Sequence, residues 1–430
     1  MKQKKQRAEF DNHRFASLAP LAREIPDIDS AIAEIARLSA ELTLPAKTVH
    51  IISDIHGEDR KLRHVINNAS GTLRPLVERL FKDKMGAEEL QQFLTLVFYP
   101  AEVVGILETK IRTAQAQKNF AIKTLRALFE IVRVLGVRCT LQHGMRLFPA
   151  PYRELLAEIL HEPSSDRDRE YVEAIVEELS FLASHKLWDQ MRWMVSHGRM
   201  CLRRDEHLIF HGCVPVDEHG EFLPMYVGGR PHSGSALFDA IEDAVYRMLD
   251  EPSRQDLDLL WYLWCGPQSP LFGKDRIATL ERDLIEDKKT HHETKNPYFH
   301  LIHEVWFCDK ILEEFGVDSA QGLIVNGHVP VQVEKGESPL KRSGKAITID
   351  GAFSEAYGDH GFTMVLEAHR TFLAKHHHFE SIESAIHQGA DIIPTITVVR
   401  EWEPSKRVAD GQRGRLIRSL FAQLEQLITL

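Results

Sequence analysis

The sequence predicts an α/β fold on two observations. Short runs of aliphatic and β-branched residues read as buried strands, at 48–52, 208–210, 323–325, 346–349, 362–366 and 395–399. Between and around them lie long stretches in which apolar residues recur at helical spacing. A third observation concerns the strand ends. Three of the runs pass directly into a short polar segment that carries a histidine: Ser53-Asp54-Ile55-His56-Gly57-Glu58, Phe210-His211-Gly212-Cys213 and Asn326-Gly327-His328-Val329-Pro330. Open sheets present their ligands at such carboxyl ends.

Taken in order, Ile28, Ile32, Ile35, Leu38 and Leu42 predict a helix, which Pro45 prevents from continuing, and Thr48 to Ile52 follow as a strand. Residues 62–160 read as several amphipathic helices, one of them 120–135 with Gly136 just past its end. Over 171–195 a stripe from Val172 to Met194 runs without glycine or proline and predicts one unbroken helix. The segment 235–314 is rich in helix signals and aromatics, and 414–430 reads as an amphipathic helix packing on the body. A chain of 430 residues exceeds the ~250–300 that one core organises, so two packed domains are expected. The organisation read from these patterns is 1–60 as an N-terminal helix and first motif strand, 61–195 as a mostly helical region, and 196–430 as the remaining sheets with the C-terminal helix.

Composition excludes several classes. Hydrophobic residues at 43% and charged residues at 27% are ordinary for a globular protein, while a net charge of −10 argues against a nucleic-acid partner and supplies no polybasic membrane patch. The basic start Met1-Lys2-Gln3-Lys4-Lys5 is followed by no apolar signal region, and no apolar run reaches the ~18 residues of a membrane span. Five widely spaced cysteines without a Cys-x-x-Cys pair indicate neither a disulfide framework nor a structural zinc site and fit a reducing cytoplasm.

The histidine fragments carry the chemistry. On an extended strand, alternate side chains share a face, so Asp54 and His56 are expected to chelate one ion, and carboxylate with imidazole suits Mn, Fe or Zn better than Mg alone. His211 and His328, each beside a glycine at a strand end, are the further candidates. Singly, each is more often a satisfied turn or core histidine than a ligand; three such ends together favour a shared centre. His376-His377-His378 is expected to be a solvated strand end, because adjacent strand residues point apart. His291 and His292 are expected to be exposed. Trp261, Tyr262 and Trp264 are expected in the core, with a pocket wall as the alternative.

The text around these fragments resembles the class 3 fructose-1,6-bisphosphatases, members of the calcineurin-like metallophosphoesterase superfamily. The similarity is carried by Ser53 to Glu58 with His64-Val65, Leu208 to Pro215, Trp261 to Pro267, Ser269 to Asp275, Ile285 to Lys288, Lys295 to Tyr298, Asn326 to Val331 and Ile349 to Ser354. The resemblance implies a β-sheet sandwich with flanking helices and a helical region after the first metal motif. It implies two Mn ions, one held by Asp54 and His56 and the other by His211 and His328. It also implies hydrolysis of fructose 1,6-bisphosphate to fructose 6-phosphate and phosphate in gluconeogenesis. The family's Gly-Asp-x-x-Asp-Arg-Gly and Gly-Asn-His-Asp elements, which supply the bridging carboxylate, a further ligand and the general acid, have no counterpart here. Family-like text jumps from before Glu177 to after Ser180, so an internal deletion is expected near 177–187. Two other readings stand beside the bisphosphatase: a catalytically impaired binding or scaffold derivative, and a phosphatase of the same superfamily acting on phosphoproteins or dinucleoside polyphosphates. Self-association into a homo-oligomer stays open. Lys274, Lys288, Lys295 and Lys341 are candidates, from charge alone, for gripping the second phosphate.

Overall fold

A computed structural model describes residues 21–22, 24–25, 27–100, 102–104, 106, 113–136, 193, 195–250, 253–350, 361–377, 379–388 and 394–429. Helix α1 (Ile28–Thr43) starts where the Asp27 carboxylate accepts a 2.7 Å hydrogen bond from the Ser30 N–H, satisfying one of the helix's orphan donors. After β1 (Val49–Ile52) come α2 (Asp59–Asn67), α3 (Leu73–Phe81), α4 (Ala87–Phe98) and α5 (Ala114–Gly136). Helix α5 begins earlier than the periodicity indicates, and Gly136 is its last residue instead of its cap. Then follow β2 (Cys201–Arg204), β3 (His207–Phe210), β4 (Met225–Val227), β5 (Arg230–His232), α6 (Gly234–Asp250), α7 (Arg254–Cys265), α8 (Thr279–Leu284), α9 (Tyr298–Leu301) and α10 (Val305–Glu314). The remaining elements are β6 (Leu323–Asn326), β7 (Ala346–Thr348), β8 (Gly361–Leu366), β9 (Arg370–His376), α11 (Ile382–Gln388), β10 (Thr395–Glu401) and α12 (Gln412–Thr429). Of the helix expected over 171–195, residues 193 and 195 are helical; the rest of it, and the junction at 177–187, lie outside the described residues.

The strands form two four-stranded sheets and a two-stranded ribbon. One sheet is antiparallel throughout, in the order β1-β8-β9-β10, with Val49 opposite Leu366 and Ile52 opposite Thr363. The other runs β2-β3-β6-β7, with β3, β6 and β7 parallel. Parallel neighbours deliver their carboxyl ends side by side, so His211 after β3 and His328 after β6 emerge at the same edge.

Alternation along the strands shows how the layers pack. Leu323 and Val325 of β6 and Ile347 of β7 join Phe362, Met364 and Leu366 of β8 and Leu373 of β9 in one buried cluster, which makes the two sheets a sandwich. The intervening residues Ile324 and Ala346, with Leu208 and Phe210 of β3, face the other way, onto Phe238 of α6 and Phe307, Ile311 and Leu312 of α10. Fully burying each of the larger of these side chains contributes about 1.5–3 kcal/mol relative to exposure. Helices α3 to α5 share a separate core with α11. Beside this core, the His64 ring of α2 stacks 4.7 Å from Phe379, just past β9, and Ser70 Oγ in the turn after α2 lies 3.0 Å from His50 Nδ1 of β1. No described helix is long and apolar enough to cross a membrane.

Two expectations are corrected. Trp261 and Trp264 are 66% and 61% exposed and contact each other edge to face at 5.1 Å, so they are surface residues on the outer side of α7. Tyr262, one position along, turns inward to the wall of a cavity of about 710 Å³ that Tyr226 and Leu259 also line. His376 is not a solvated strand end. It is fully buried, 2.7 Å from Thr363 Oγ1 on the neighbouring strand, because alternation sets it on the face that buries Phe372 and Ala374. Burial pushes its imidazole down to about 3. His377 and His292 are exposed, as alternation and polar context predict, while His291 is half-buried with Nε2 2.8 Å from the Ile285 carbonyl.

Candidate metal centre

Strand β1 ends at Ile52, and the chain then leaves the extended region. Asp54 has φ 51°, His56 φ 53° and, at the third fragment, His328 φ 68°. These are three of the six non-glycine residues with positive φ among those described, and left-handed backbone in L-residues persists where surroundings enforce it, often at functional sites. The enforcing contacts are visible. The two oxygens of Asp54 are separately engaged: Oδ2 accepts the His328 N–H at 2.9 Å and the Ser53 hydroxyl, and Oδ1 lies 3.7 Å from His211 Nδ1. The Gly327 N–H donates to the His211 carbonyl at 2.8 Å. A Cβ on Gly327 would run into Ser53 Oγ and Asp54 Oδ2, so glycine is what lets the two sheets approach here.

Asn326, the last residue of β6 and 2% exposed, ties the strand ends together. Its Nδ2 donates to the Gly212 carbonyl at 3.0 Å, and its Oδ1 accepts from Thr348 Oγ1 at 3.0 Å. Sequence reasoning passed over Ser53, Asn326 and Thr348. The only available signal was a polar residue at each buried strand end, a pattern that turns also produce.

The outcome is a cluster of three potential donors. Ligand atoms of Asp54, His211 and His328 all lie within 4.8 Å of one another. Bonds of about 2.0–2.2 Å at tetrahedral or trigonal angles place three ligand atoms of one ion about 3.3–3.8 Å apart, so shifts of up to about one ångström would close this group on a single ion. The tautomer of His328 is set by its neighbours: Nε2 is 2.6 Å from the Phe272 carbonyl, which can only accept, so Nε2 carries the proton and Nδ1 is left with the lone pair. A carbonyl behind a ligating imidazole is the common way of fixing its orientation. Burial, followed by the adjacent His211, holds the His328 imidazole below its ordinary range, in the neutral form that ligates. His211 is 41% exposed and its ring centroid lies 4.9 Å from that of His328. A cavity of about 460 Å³ opens beside them, with Asp54, His211, Asn326, His197 and Arg199 among its lining residues.

His56 stands apart from this cluster. It is exposed at the turn with Gly57, and the extended backbone on which its sharing a face with Asp54 was expected is absent, because β1 stops before both residues.

A carboxylate and two imidazoles, delivered by strand ends from two sheets of an α/β sandwich, form a candidate metal centre. The family model for the Firmicute fructose-1,6-bisphosphatase matches residues 16–180 and 177–430, two segments that meet where family-like text jumps. A class 3 fructose-1,6-bisphosphatase of Clostridium acetobutylicum is 39% identical over 272 residues, 61% of this chain and 41% of that protein. One from Fusobacterium nucleatum is 41% identical over 258 residues, 58% and 40% of the two chains. One from Clostridium botulinum is 36% identical over 273 residues, 61% and 41%. The alignments thus span about two fifths of the length of these curated relatives. No solved structure matches. The chain belongs to the Firmicute fructose-1,6-bisphosphatase family.

Proposed function

We propose that this chain acts on fructose 1,6-bisphosphate as a phosphoric monoester hydrolase of the calcineurin-like kind, with Mn at the strand-end cluster, in the cytoplasm and in gluconeogenesis. The observation that carries the reading is the convergence of Asp54, His211 and His328 from sequence positions far apart. When bound, Mn would supply Lewis-acid polarisation of the phosphoryl oxygens. The chain's own part is to hold Asp54 by Ser53 and the His328 N–H, to orient His328 through the Phe272 carbonyl, and to leave His211 open to the adjoining cavity. The four described cysteines are free thiols, which supports a reducing compartment.

The test is phosphate release with added Mn from fructose 1,6-bisphosphate, p-nitrophenyl phosphate and a phosphopeptide. The sugar bisphosphate is expected to be preferred, with release lost in His328→Ala. Equal or faster release from the phosphopeptide would move the assignment to the protein-phosphatase relatives. A second reading has an observation of its own. The sequence contains neither Gly-Asp-x-x-Asp-Arg-Gly nor Gly-Asn-His-Asp, which favours a derivative that binds the sugar bisphosphate and turns it over poorly. Binding by calorimetry without phosphate release would establish that reading.

A further inference from the structure

The segment that supplies the Phe272 carbonyl to His328 continues into a paired stretch rich in cations. Lys274 and Lys295 sit directly opposite each other in an antiparallel bridge, and the Asp275 N–H donates to the Thr294 carbonyl at 2.9 Å beside it. Like charges placed opposite across such a pair repel, so the arrangement needs anions nearby. Two carboxylates are present. Glu293 lies 3.1 Å from Lys274 and 3.2 Å from Arg282, while Glu337 lies 3.0 Å from Lys341, whose side chain is 7% exposed. Glu337 also acts electrostatically on Lys295, as do the charges of Lys274 and Lys341. Four cations therefore share two carboxylates, an excess of two positive charges. The cluster adjoins the centre, since Lys274 comes two residues after Phe272, whose carbonyl lies 2.6 Å from His328 Nε2. Lys288 lies elsewhere, on the 3-10 turn Lys288–His291, and joins none of these pairs.

We propose that Lys274, Lys295 and Lys341 form an anion subsite beside His328 that receives the phosphate of the sugar bisphosphate that is not cleaved. The assignment rests on the substrate reading above, and it names the group that would distinguish a bisphosphate from a monophosphate. Partial desolvation next to other cations favours a doubly charged phosphate over chloride, because charge-assisted hydrogen bonds strengthen as water is excluded. Lys295 is the least committed of the three: Lys274 and Lys341 are each held by a carboxylate, whereas Lys295 has Glu337 only at longer range.

The experiment is metal-free calorimetry of the full chain with fructose 1,6-bisphosphate, fructose 6-phosphate and inorganic phosphate, which separates the subsite from turnover. Wild type is expected to bind both sugar phosphates. Lys295→Met should weaken each by about tenfold or more, the loss of one charge-assisted contact. Lys295→Arg should restore most of the affinity, and Lys288→Met should change nothing. Lys274→Gln, checked by thermal melting, gives the same answer if Lys295→Met fails to fold. Binding that is absent in wild type, or unchanged in both lysine variants, or weakened equally by Lys288→Met, would overturn the subsite. Absence of phosphate release alone would count against the hydrolase reading and leave these affinities to decide the subsite.

Discussion

At the scale of single residues, the carboxylate of Asp54 is the hinge of the centre, because its oxygens face His211, Ser53 and the His328 N–H at once. Asp54→Asn keeps the shape and removes the charge, and should lower Mn affinity by about 10–100-fold in a competitive chelator titration. Gly327→Ala should do as much without removing a ligand, since the added methyl occupies the space of the Ser53 and Asp54 side chains. Unchanged Mn affinity in Gly327→Ala would mean that Asp54 is not seated by this close approach. Asp54, His211 and His328 were legible in the sequence because a polar segment closing an apolar run marks a strand end. The place of His56 was not. The left-handed conformation at Asp54 is held by tertiary contacts, and a pattern of residue types carries no sign of φ there or at His56.

At the scale of elements, the helix expected over 414–430 does pack on the body, and its partner is α1. Ala31 and Leu38 meet Ile417 and Leu424 in a buried cluster, with Arg413 Nε donating to Glu41 Oε1 at 2.8 Å. Periodicity shows which face of a helix is apolar but not which surface will cover it, so the pairing of α1 with α12 was not readable. Strand β9 was implied by the reading of a strand end at His376, but its place between β8 and β10 was not readable from its residues. The Glu41 carboxyl is held below its ordinary value of 4.5, chiefly by the Arg413 hydrogen bond. A depressed folded value means that its contribution is fully present above about pH 4.5 and is lost as pH falls through the lower folded value. Glu41→Gln should therefore cost about 1 kcal/mol at pH 7, a modest figure because Arg413 is 52% exposed. Chemical denaturation should show the deficit shrinking below pH 4.5; a deficit independent of pH would assign it to packing alone.

At the scale of the whole molecule, the question is what a chain aligned over two fifths of its relatives' length can still do. The described residues bring three donors to one centre, and the sequence lacks the two elements that in the family provide the bridging carboxylate, a further ligand and the general acid. Three protein donors are enough for one ion with an open position, and too few for two tightly held ions. Loss of general-acid help costs about 10²–10⁴ in rate before any loss of metal occupancy. The purified chain should therefore hold at most one Mn, lost on desalting, by mass spectrometry. Its phosphate release from fructose 1,6-bisphosphate should fall at least ~10²-fold below that of the Clostridium acetobutylicum relative under the same conditions. Two ions retained per chain, together with rapid turnover abolished by His328→Ala, would show that residues outside this cluster complete the centre; His197, which lines the adjoining cavity, would be the first to substitute in locating them.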